Sequence, residues 1–410
     1  MRILALAHGL WFGGAQISTL EFLEGLRGRF DLKLLVCSEA DENFTSNANS
    51  MGIGVYRAHC RVSSGYPIMD VDGTKGLIKW ADIAWVTDVE YLIALQIKRI
   101  KKVPTVAHLH SYAMVCPWWG ALYGFGEPCL ERCSVRRITG CKQGINHELA
   151  KIGLLGDARA RLYWLLDFVK GPLDFFRWSR LMNGVVESID GFIAVSKALW
   201  NTHMCHLPSL SSKPFSIVYN LVTEPLKFVK PDPHEPYGDY ILYASGSNPV
   251  KGPHLLLKAW QEVSKEFKDL KLYMVGCRDT WVEGKARRIN LRNIVFTEKM
   301  PSSKYYHLMY KAKAVVMPSV WPETFGRIPI EANRLGIPAI VTNRGALPEL
   351  IEDGITGTIA EADSNNLAEA ITKTTSRDWD RGAIIGRVSE RLNPSNITNE
   401  LLSFFRKIIV

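Results

Sequence analysis

Residues 315–332 have the sequence VVMPSVWPETFGRIPIEA. The apolar run Ala314–Met317 stops at a proline-bearing loop, which predicts a short buried strand. We predict a helix that starts near Gly326 and runs to Leu335, with Gly336 ending it. A strand, a loop and a helix N-terminus in this order present free backbone N–H groups and a positive dipole end to an anion.

Two glutamates in this stretch are candidates for binding a sugar. Glu323 lies at the mouth of the predicted helix, and Glu331 follows two helical turns later, rotated by roughly 80° around the axis. Carboxylates do not help to bind a phosphate, but they accept hydrogen bonds from the hydroxyls of a sugar or a ribose. Acidic residues are also common at helix N-termini, so the spacing alone leaves open that Glu323 is a surface residue and Glu331 unrelated to it.

The sequence beyond this stretch carries a resemblance to a known family. Residues 338–342 form another predicted buried strand, and the glycine-bearing segment 344–357 follows. Residues 323–357 resemble the donor-binding core of the retaining glycosyltransferases of family 4, the glycogen-synthase-like enzymes. Their signature of a glutamate, seven residues and a second glutamate matches Glu323 and Glu331. The resemblance, weaker over most of the chain, implies an α/β protein of GT-B architecture, with two Rossmann-like domains facing each other across a cleft.

The length and composition agree with two domains. The chain has 410 residues, of which 47% are apolar. We find no run of 18 or more apolar residues, so we predict no spanning helix. The N-terminus is interpreted as a first strand rather than a signal peptide, because Gly13, Gly14 and Gln16 interrupt its apolar character. We therefore expect a cytoplasmic protein, and leave open a peripheral position on the inner face of the membrane.

The positive charge of the chain is concentrated in one block. The net charge is +9, and residues 98–180, with 14 Lys and Arg against 6 Asp and Glu, contribute +8. Such a block indicates an anionic partner, which could be nucleic acid, a membrane surface or a phosphorylated acceptor, or else a solvated surface. Within it, residues 151–182 combine leucines at helical spacing with aromatic and basic residues. This pattern is typical of a helix in a membrane interface, the alternative being a helical hairpin packed on the N-terminal domain.

The alternation of predicted strands and helices favours parallel sheets covered by helices on both faces. We assign residues 1–222 to an N-terminal acceptor-side domain with an insertion at about 112–185, and residues 239–385 to a nucleotide-sugar-binding domain. The Pro-rich, charged segment 230–238 is the predicted linker. The final helix, within residues 386–410, is expected to cross back to the first domain, as in the family that the chain resembles. Predicted strands cover residues 2–7, 32–37, 83–86, 105–108, 191–195, 215–219, 240–244, 270–275 and 293–297, and predicted helices cover 15–26, 90–100 and 253–267.

The glycine pair Gly13–Gly14 follows the first predicted strand. The G-x-G-x-x-G spacing of dinucleotide-binding loops is absent there. In the family, the equivalent loop faces the cleft and lets the backbone approach the donor or the acceptor. The alternative is a tight turn that needs positive φ.

The loop after the first strand of the second domain is the predicted phosphate site. Lys251 supplies a cation and Gly252 permits close approach. The resemblance places Lys251 on the donor pyrophosphate, often helped in relatives by an Arg a few residues earlier. Ser247 or Asn248 occupies that position here, which leaves Arg327 as a residue that could supply the missing charge.

Histidines and cysteines follow the strand predicted at residues 105–108. His110 matches the residue that the family often places near the point of sugar transfer, and the alternative is a structural histidine at a strand end. Four cysteines, at spacings that are not those of a C-x2-C zinc pair, fall within 26 residues: Cys116, Cys129, Cys133 and Cys141. A structural zinc, a disulfide and free buried thiols all remain open for them. For a cytoplasmic protein we predict no disulfide framework.

The leading hypothesis is a retaining glycosyltransferase that moves a hexosyl unit from a nucleoside diphosphate sugar to a lipid-linked or other glycan acceptor, without metal or cofactor. By resemblance, Lys251 and backbone amides near Phe325 stabilise the leaving diphosphate, Glu323 holds the sugar and Glu331 the ribose, while the loop at residues 297–301 covers the nucleobase. The predicted catalytic residues are His110, Lys251 and Glu323. The predicted donor-binding residues are Gly13, Gly14, Ser247, Lys251, Glu298, Glu323, Thr324, Phe325, Gly326, Arg327 and Glu331.

Two other functions stay open. A sugar-nucleotide epimerase or a phosphorylase could use the same nucleotide pocket. A nucleic-acid-binding Rossmann protein is suggested only by the basic block, and no RNA-binding motif supports it.

Overall fold

The computed structural model describes residues 1–10, 13–63, 66–87, 90–116, 122–123, 127–138, 140–141, 173 and 175–409. Most of the predicted amphipathic segment, residues 151–172, lies outside these ranges.

The described strands and helices are numbered here in chain order. The strands are β1 (Arg2–Leu6), β2 (Asp31–Cys37), β3 (Gly54–Ala58), β4 (Cys60–Ser63), β5 (Tyr66–Met69), β6 (Ile83–Thr87), β7 (Thr105–Leu109), β8 (Leu122–Tyr123), β9 (Glu127–Pro128), β10 (Gly191–Ala194), β11 (Phe215–Ile217), β12 (Tyr240–Tyr243), β13 (Lys271–Val275), β14 (Ile294–Thr297), β15 (Ala314–Met317), β16 (Ala339–Thr342) and β17 (Gly357–Ala360). The helices are α1 (Gly14–Leu26), α2 (Glu42–Ser50), α3 (Lys75–Trp80), α4 (Ile93–Ile100), α5 (Lys197–His206), α6 (Pro225–Phe228), α7 (Pro253–Glu266), α8 (Trp281–Arg288), α9 (Ser302–Tyr310), α10 (Arg327–Arg334), α11 (Leu347–Leu350), α12 (Ser364–Thr375), α13 (Arg381–Arg391) and α14 (Pro394–Ile409). Residues 175–188 are also helical.

The first half of the chain forms a seven-stranded sheet in the order β11-β10-β7-β6-β1-β2-β3. Every pairing in it is parallel. The central strands β6, β7 and β10 are buried along their whole length, which explains their nearly continuous apolar sequences. The helix α1 follows β1 in the chain, so the loop that joins them begins at the carboxyl end of β1.

The second half forms a six-stranded parallel sheet in the order β14-β13-β12-β15-β16-β17. The strand β15, from the stretch that opened the sequence analysis, lies at its centre between β12 and β16 and is buried throughout. The carboxyl ends of β12 and β15 therefore lie side by side, which is where open α/β sheets bind ligands.

The observed elements agree with the predicted α/β alternation, and most boundaries differ from the prediction by one or two residues. Gly336 follows α10 with a φ of 72°, a conformation that glycine adopts without steric cost. The prediction of a single helix at residues 90–100 is wrong for its first three residues. Residues Glu90–Leu92 form a 3₁₀ turn before α4, and Leu92 offers no side-chain cap to that helix.

One disulfide forms in the structure, although no disulfide framework was predicted. Cys37 and Cys60 are joined, with an S–S distance of 2.03 Å and their Cα atoms 5.3 Å apart. The register of the sheet explains the pairing, because Cys37 ends β2 directly opposite Ala58 of β3. The chain reaches Cys60 two residues later. A pairing across 23 residues that depends on sheet register leaves no local sequence signal.

The linker region packs on the second domain. The backbone N–H of Asp232 donates to the Tyr310 hydroxyl at 2.8 Å, and the Tyr237 hydroxyl donates to the Gly336 carbonyl at 3.0 Å. The segment 230–238 therefore leaves the first domain and is fixed on the second.

The last helix, α14, returns to the first domain and completes its core. Phe405 is fully buried and its ring centroid lies 5.9 Å from that of Trp85 in β6. A Cβ atom at Gly191 would lie 2.6 Å from the Ile408 side chain, so β10 and α14 approach each other at a glycine. The chain consequently crosses between the two domains twice.

We predict that Phe405→Ala destabilises the first domain by about 3–5 kcal/mol, because it removes a fully buried aromatic ring from that core. Ile409→Ala is the matched control on the same helix, since Ile409 is 38% exposed. Urea unfolding of the full chain measures both variants. Equal, small effects of the two substitutions would contradict the view that α14 belongs to the core.

Candidate active site

A cavity of about 640 Å³ lies between the two domains, at the carboxyl ends of both sheets. The first domain contributes the loop before α1, the end of β7 and the segment before the linker. The second contributes the loops after β12, β13, β14 and β15. The polar and glycine residues of its wall include Gly13, Gly14, His110, Asn220, Glu224, Gly246, Lys251, Gly276, Lys299, Tyr305, Glu323, Arg327 and Glu331.

Lys251 and Glu323 form a close ion pair at the centre of the second domain's wall. The Lys251 Nζ atom lies 2.8 and 2.9 Å from the two carboxylate oxygens of Glu323. The Ser319 hydroxyl donates to the same carboxylate at 2.6 Å, and Lys251 also lies 4.5 Å above the centroid of the Trp321 ring. Because Glu323 is only 3% exposed, this pairing is what permits its charge to be buried.

The loops that carry this ion pair are in direct contact. Gly252 has a φ of 73°, and a Cβ atom there would lie 1.8 Å from the Pro318 carbonyl oxygen. Only glycine fits at such a distance. From the sequence alone, the close approach of a ligand explains the glycine at position 252. The structure adds a second reason, because the loop after β12 packs on the loop after β15 at this residue.

Glu331 is buried on the first turns of α10, beside two hydrogen-bond and ion-pair partners. The Tyr305 hydroxyl donates to its carboxylate at 3.2 Å, and the Arg327 Nε atom lies 3.4 Å from it. The pKa of Glu331 is raised to about 7. Burial is the main cause, and Glu224 and Glu21 also raise the pKa, while Arg327 and Tyr305 lower it. The group therefore titrates near neutral pH in the folded protein.

Arg327 connects the two domains. Its Nη1 atom donates to the Glu21 carboxylate at 2.7 Å, to the Ser18 hydroxyl at 2.8 Å and to the Leu221 carbonyl at 2.9 Å, all in the first domain. Burial lowers the pKa of Arg327, but Glu21 and Glu331 raise it by more, so the guanidinium stays charged. The structure thus uses Arg327 as an interdomain ion-pair partner, a role that the sequence did not indicate.

The start of α10 is held by the first domain as well. The Ser196 hydroxyl donates to the Thr324 carbonyl at 2.7 Å, and the Tyr112 hydroxyl donates to the Pro322 carbonyl at 2.9 Å. Gly326 has a φ of 94° just before the helix, where a Cβ atom would lie 2.6 Å from Leu347. These contacts fix the position of the start of α10, where Phe325, Gly326 and Arg327 line the cavity.

The first domain's side of the cavity contains the glycine pair and His110. Gly13 precedes α1, and its N–H donates to the Gln16 side chain at 3.2 Å. A Cβ atom at Gly14 would lie 3.3 Å from the Arg327 side chain, so this glycine permits the two domains to approach. The His110 ring lies 4.3 Å from that of His108. Complete burial, with a smaller effect of His110, holds the pKa of His108 well below its usual range, so His108 is neutral.

Two of the predicted donor-binding residues are not brought to the cavity wall. The Ser247 carbonyl accepts a hydrogen bond from Trp281 at 2.8 Å, away from the cavity, and Glu298 is exposed. Their chain neighbours Gly246 and Lys299 line the wall instead. The remaining predicted site residues, from both domains, do line the cavity: Gly13, Gly14, His110, Lys251, Glu323, Thr324, Phe325, Gly326, Arg327 and Glu331.

Several wall residues were missed in the sequence. Tyr305 and Glu224 carry no motif, and their positions depend on how α9 packs beside α6 and α10. The Glu224 carboxylate accepts hydrogen bonds from the Ser302 and Tyr306 hydroxyls at 3.3 and 3.2 Å. The adjacent tyrosines Tyr305 and Tyr306 in the first half of α9 were the one available signal.

The four cysteines after β7 are thiols in the structure. Burial, together with Cys116, Cys129 and Cys141, raises the pKa of Cys133 to about 12. Burial also raises the pKa of Cys129, but its neighbours His206 and Arg137 lower it by more. In the part of the chain that the structure describes, no three His, Cys, Asp or Glu side chains are arranged to hold a metal ion.

Across the same residues, no helix is long and apolar enough to span a membrane.

Part of the chain is similar in sequence to known proteins. Residues 228–385 match the family model of glycosyl transferases group 1. Spore coat protein SA of Bacillus subtilis (strain 168) is 27% identical over 183 residues, which is 41% of this chain and 48% of the relative. D-inositol 3-phosphate glycosyltransferase of Paenarthrobacter aurescens (strain TC1) is 29% identical over 162 residues, 38% of each chain. The chain thus spans less than half the length of these curated relatives.

The similarity in fold extends over the whole chain. The crystal structure of Anabaena Alr3699/HepE in complex with UDP-glucose matches 99% of this chain and 100% of its own, with a TM-score of 0.68 and 16% identity. At this identity the likeness concerns the fold, and it confirms the predicted GT-B architecture. The family match thus concerns residues 228–385, and the structural match concerns the fold of the whole chain.

We predict that Glu331→Gln gains stability relative to the wild type as the pH rises from about 5 to about 8. The pKa of Glu331 is about 7 in the folded protein and lies above the value of the unfolded chain. Its protonated form is therefore favoured by folding, and the stability that it contributes at low pH is lost as the pH rises through 7. The loss is at most on the order of 3 kcal/mol.

Thermal unfolding of both proteins at the two pH values measures this effect. Glu298→Gln, at an exposed carboxylate, is the control and should show no such trend. A difference in Tm between Glu331→Gln and the wild type that is the same at both pH values would contradict the raised pKa.

Proposed function

We propose that this protein is a retaining glycosyltransferase of the family 4 type, which moves a hexosyl unit from a nucleoside diphosphate sugar to a glycan or lipid-linked acceptor. The observation that supports this proposal best is the meeting of Lys251, Glu323 and the start of α10 in one interdomain cavity, within the segment that matches glycosyl transferases group 1. One similar protein is named a D-inositol 3-phosphate glycosyltransferase, and one similar structure contains UDP-glucose.

The donor is proposed to lie along the second domain's wall. Its diphosphate meets the Lys251 ammonium and the N–H groups at the start of α10, where the helix dipole favours negative charge. Its ribose hydroxyls donate to Glu331, which Tyr305 and Arg327 hold in place from the other side. Its nucleobase is proposed to lie under the loop after β14, where Met300 lines the cavity.

The chemistry follows from this placement. The bond between the anomeric carbon and the β-phosphate oxygen breaks, a bond to the acceptor oxygen forms on the same face, and the acceptor proton leaves with the diphosphate. Lys251 and the α10 amides stabilise the charge that grows on the leaving oxygen, which is the main catalytic effect proposed. Glu323 is bonded to Lys251 and Ser319, so we assign it to holding sugar hydroxyls rather than to nucleophilic attack. His110 lies across the cavity, on the acceptor side.

No metal is needed in this proposal. The positive charge that a metal would bring to the diphosphate is supplied by Lys251 and the helix N-terminus. This part of the proposal is checked by including EDTA in the assay.

We predict that Lys251→Ala lowers the rate of sugar transfer roughly a hundredfold or more while the chain stays folded, because the lost cation faces charge that develops in the transition state. The assay supplies a panel of UDP-, GDP- and ADP-sugars with glycan and lipid-linked acceptors, in EDTA, and identifies products by mass. Lys265→Ala is the control, since Lys265 is an exposed lysine paired with Glu262 on α7.

Three outcomes contradict the proposal. Transfer by Lys251→Ala within about twofold of the wild type would reduce Lys251 to a surface residue. Release of an epimerised sugar, or a requirement for inorganic phosphate, would indicate the epimerase or the phosphorylase alternative. Salt-sensitive RNA binding by a protein without activity toward any nucleotide sugar would favour the nucleic-acid-binding alternative.

The acceptor is proposed to be associated with a membrane, and the evidence is positional. The basic block belongs to the first domain, which faces the proposed donor site across the cavity. In the described part of that block, the helix at residues 175–188 exposes the apolar side chains of Phe176 and Leu181 beside Arg177 and Arg180. Basic and apolar residues together favour an anionic membrane surface, with roughly 1 kcal/mol from each basic residue.

We predict that the wild type floats with anionic vesicles at low salt, and that binding falls with added salt and in the variant Arg177→Glu/Arg180→Glu. The variant Arg287→Glu/Arg288→Glu is the matched control, because it reverses two neighbouring charges on α8 of the other domain. No flotation of the wild type at low salt would leave a soluble acceptor, and equal losses in both variants would indicate an unspecific charge effect.

A further inference from the structure

Most charged side chains of the cavity wall already form ion pairs with other side chains of the protein. Among the residues that the structure describes, the Lys and Arg side chains that line the cavity are Lys251, Lys299 and Arg327. Lys251 is bonded to both oxygens of Glu323. Arg327 is paired with Glu21 and lies beside Glu331. The diphosphate of a nucleotide sugar, esterified at both ends, brings roughly two further negative charges into this wall.

Lys299 differs from the other two cations. It lies in the loop after β14 and is exposed. Among the residues that the structure describes, it has no hydrogen bond and no ion pair. Its ammonium group is therefore available to a ligand without breaking an existing contact.

The stem of Lys299 lies close to Gly276, just after the end of β13. A Cβ atom at Gly276 would lie 3.5 Å from the Lys299 Cγ atom and 3.4 Å from the Gly246 Cα atom. Lys299, Gly276 and Gly246 thus lie side by side, and Gly246 belongs to the loop that leads to Lys251. The Gly276 N–H donates to the Thr297 carbonyl at 2.9 Å, which fixes the ends of β13 and β14 relative to each other.

The space beside Gly246 is open to a ligand. A Cβ atom there would meet the Gly276 carbonyl oxygen at 3.8 Å, an ordinary contact distance, and nothing closer. Both Gly246 and Gly276 have positive φ and lack side chains, so a ligand can approach the backbone in the cavity that Lys251 and Lys299 also line.

We propose that Lys299 is a second diphosphate-binding cation, which contacts the donor phosphates together with Lys251. This inference rests on the proposed function and adds to it a residue that no motif indicates. Lys299 binds the phosphates in the ground state and the transition state alike, so it contributes mainly to nucleotide affinity, whereas Lys251 contributes mainly to turnover.

Calorimetric binding of nucleotides and nucleosides tests this assignment. The wild type and Lys299→Met are titrated with UDP and uridine, and in parallel with GDP and guanosine and with ADP and adenosine. Methionine keeps the length of the stem and removes the charge. We expect affinity for the preferred diphosphate to fall about tenfold, affinity for its nucleoside to stay within about twofold, and Lys299→Arg to restore most of the loss.

Lys304→Met is the matched control, since Lys304 is an exposed lysine on α9 that does not line the cavity. It should bind both ligands like the wild type. Equal weakening of nucleoside and diphosphate binding by Lys299→Met would place Lys299 on the base and overturn the proposal. Unchanged binding of both would make it a solvated surface residue. A wild type that binds none of the diphosphates would instead refute the proposed function itself.

Discussion

A buried ion pair between the two domains determines how the rest of the structure is arranged. The Arg327 and Glu21 side chains are 8% and 4% exposed and lie 2.7 Å apart. The other oxygen of Glu21 accepts from the backbone N–H groups of Thr223 and Glu224, at 2.7 and 3.0 Å. One carboxylate thus joins α1, the segment before the linker and α10. Losing either partner would leave a buried charge without compensation, which is far more costly than the pair itself is stabilising.

This constraint also sets the electrostatics of the cavity. Arg327 is paired with Glu21, so it cannot move freely toward a ligand. The same guanidinium also lies beside the Glu331 carboxylate. Lys251 is likewise held by Glu323. The wall therefore keeps its cations in place with its own carboxylates while no ligand is bound. A sugar hydroxyl or a phosphate that enters must replace or share one of these contacts, and such exchange favours ligands that offer hydroxyls and negative charge together.

The sequence predicted those features that depend on neighbours in the chain. The strand β15 and the glycine after α10 follow from local patterns, and the fold class follows from the alternation of strands and helices. Glu323 and Glu331 were found because a motif holds them at a fixed spacing. The partner of Arg327 was not found, because Glu21 lies 306 residues away and only tertiary packing brings it near. The Cys37–Cys60 disulfide and the positions of Tyr305 and Lys299 were missed for the same reason: each depends on which strands and helices become neighbours.

The stretch that holds the two glutamates is bound at several points by the opposite domain. The hydroxyls of Tyr112 and Ser196 reach its backbone. The Glu349 carboxylate, from the same domain as the stretch, accepts from the N–H groups of Lys197 and Ala198 at the start of α5, at 3.0 and 2.8 Å. Opening the cleft would break these contacts together with the buried ion pair, so the closed arrangement is held cooperatively. Because the same loops form the cavity wall, a ligand that contacts both domains stabilises closure, and closure in turn completes its binding site.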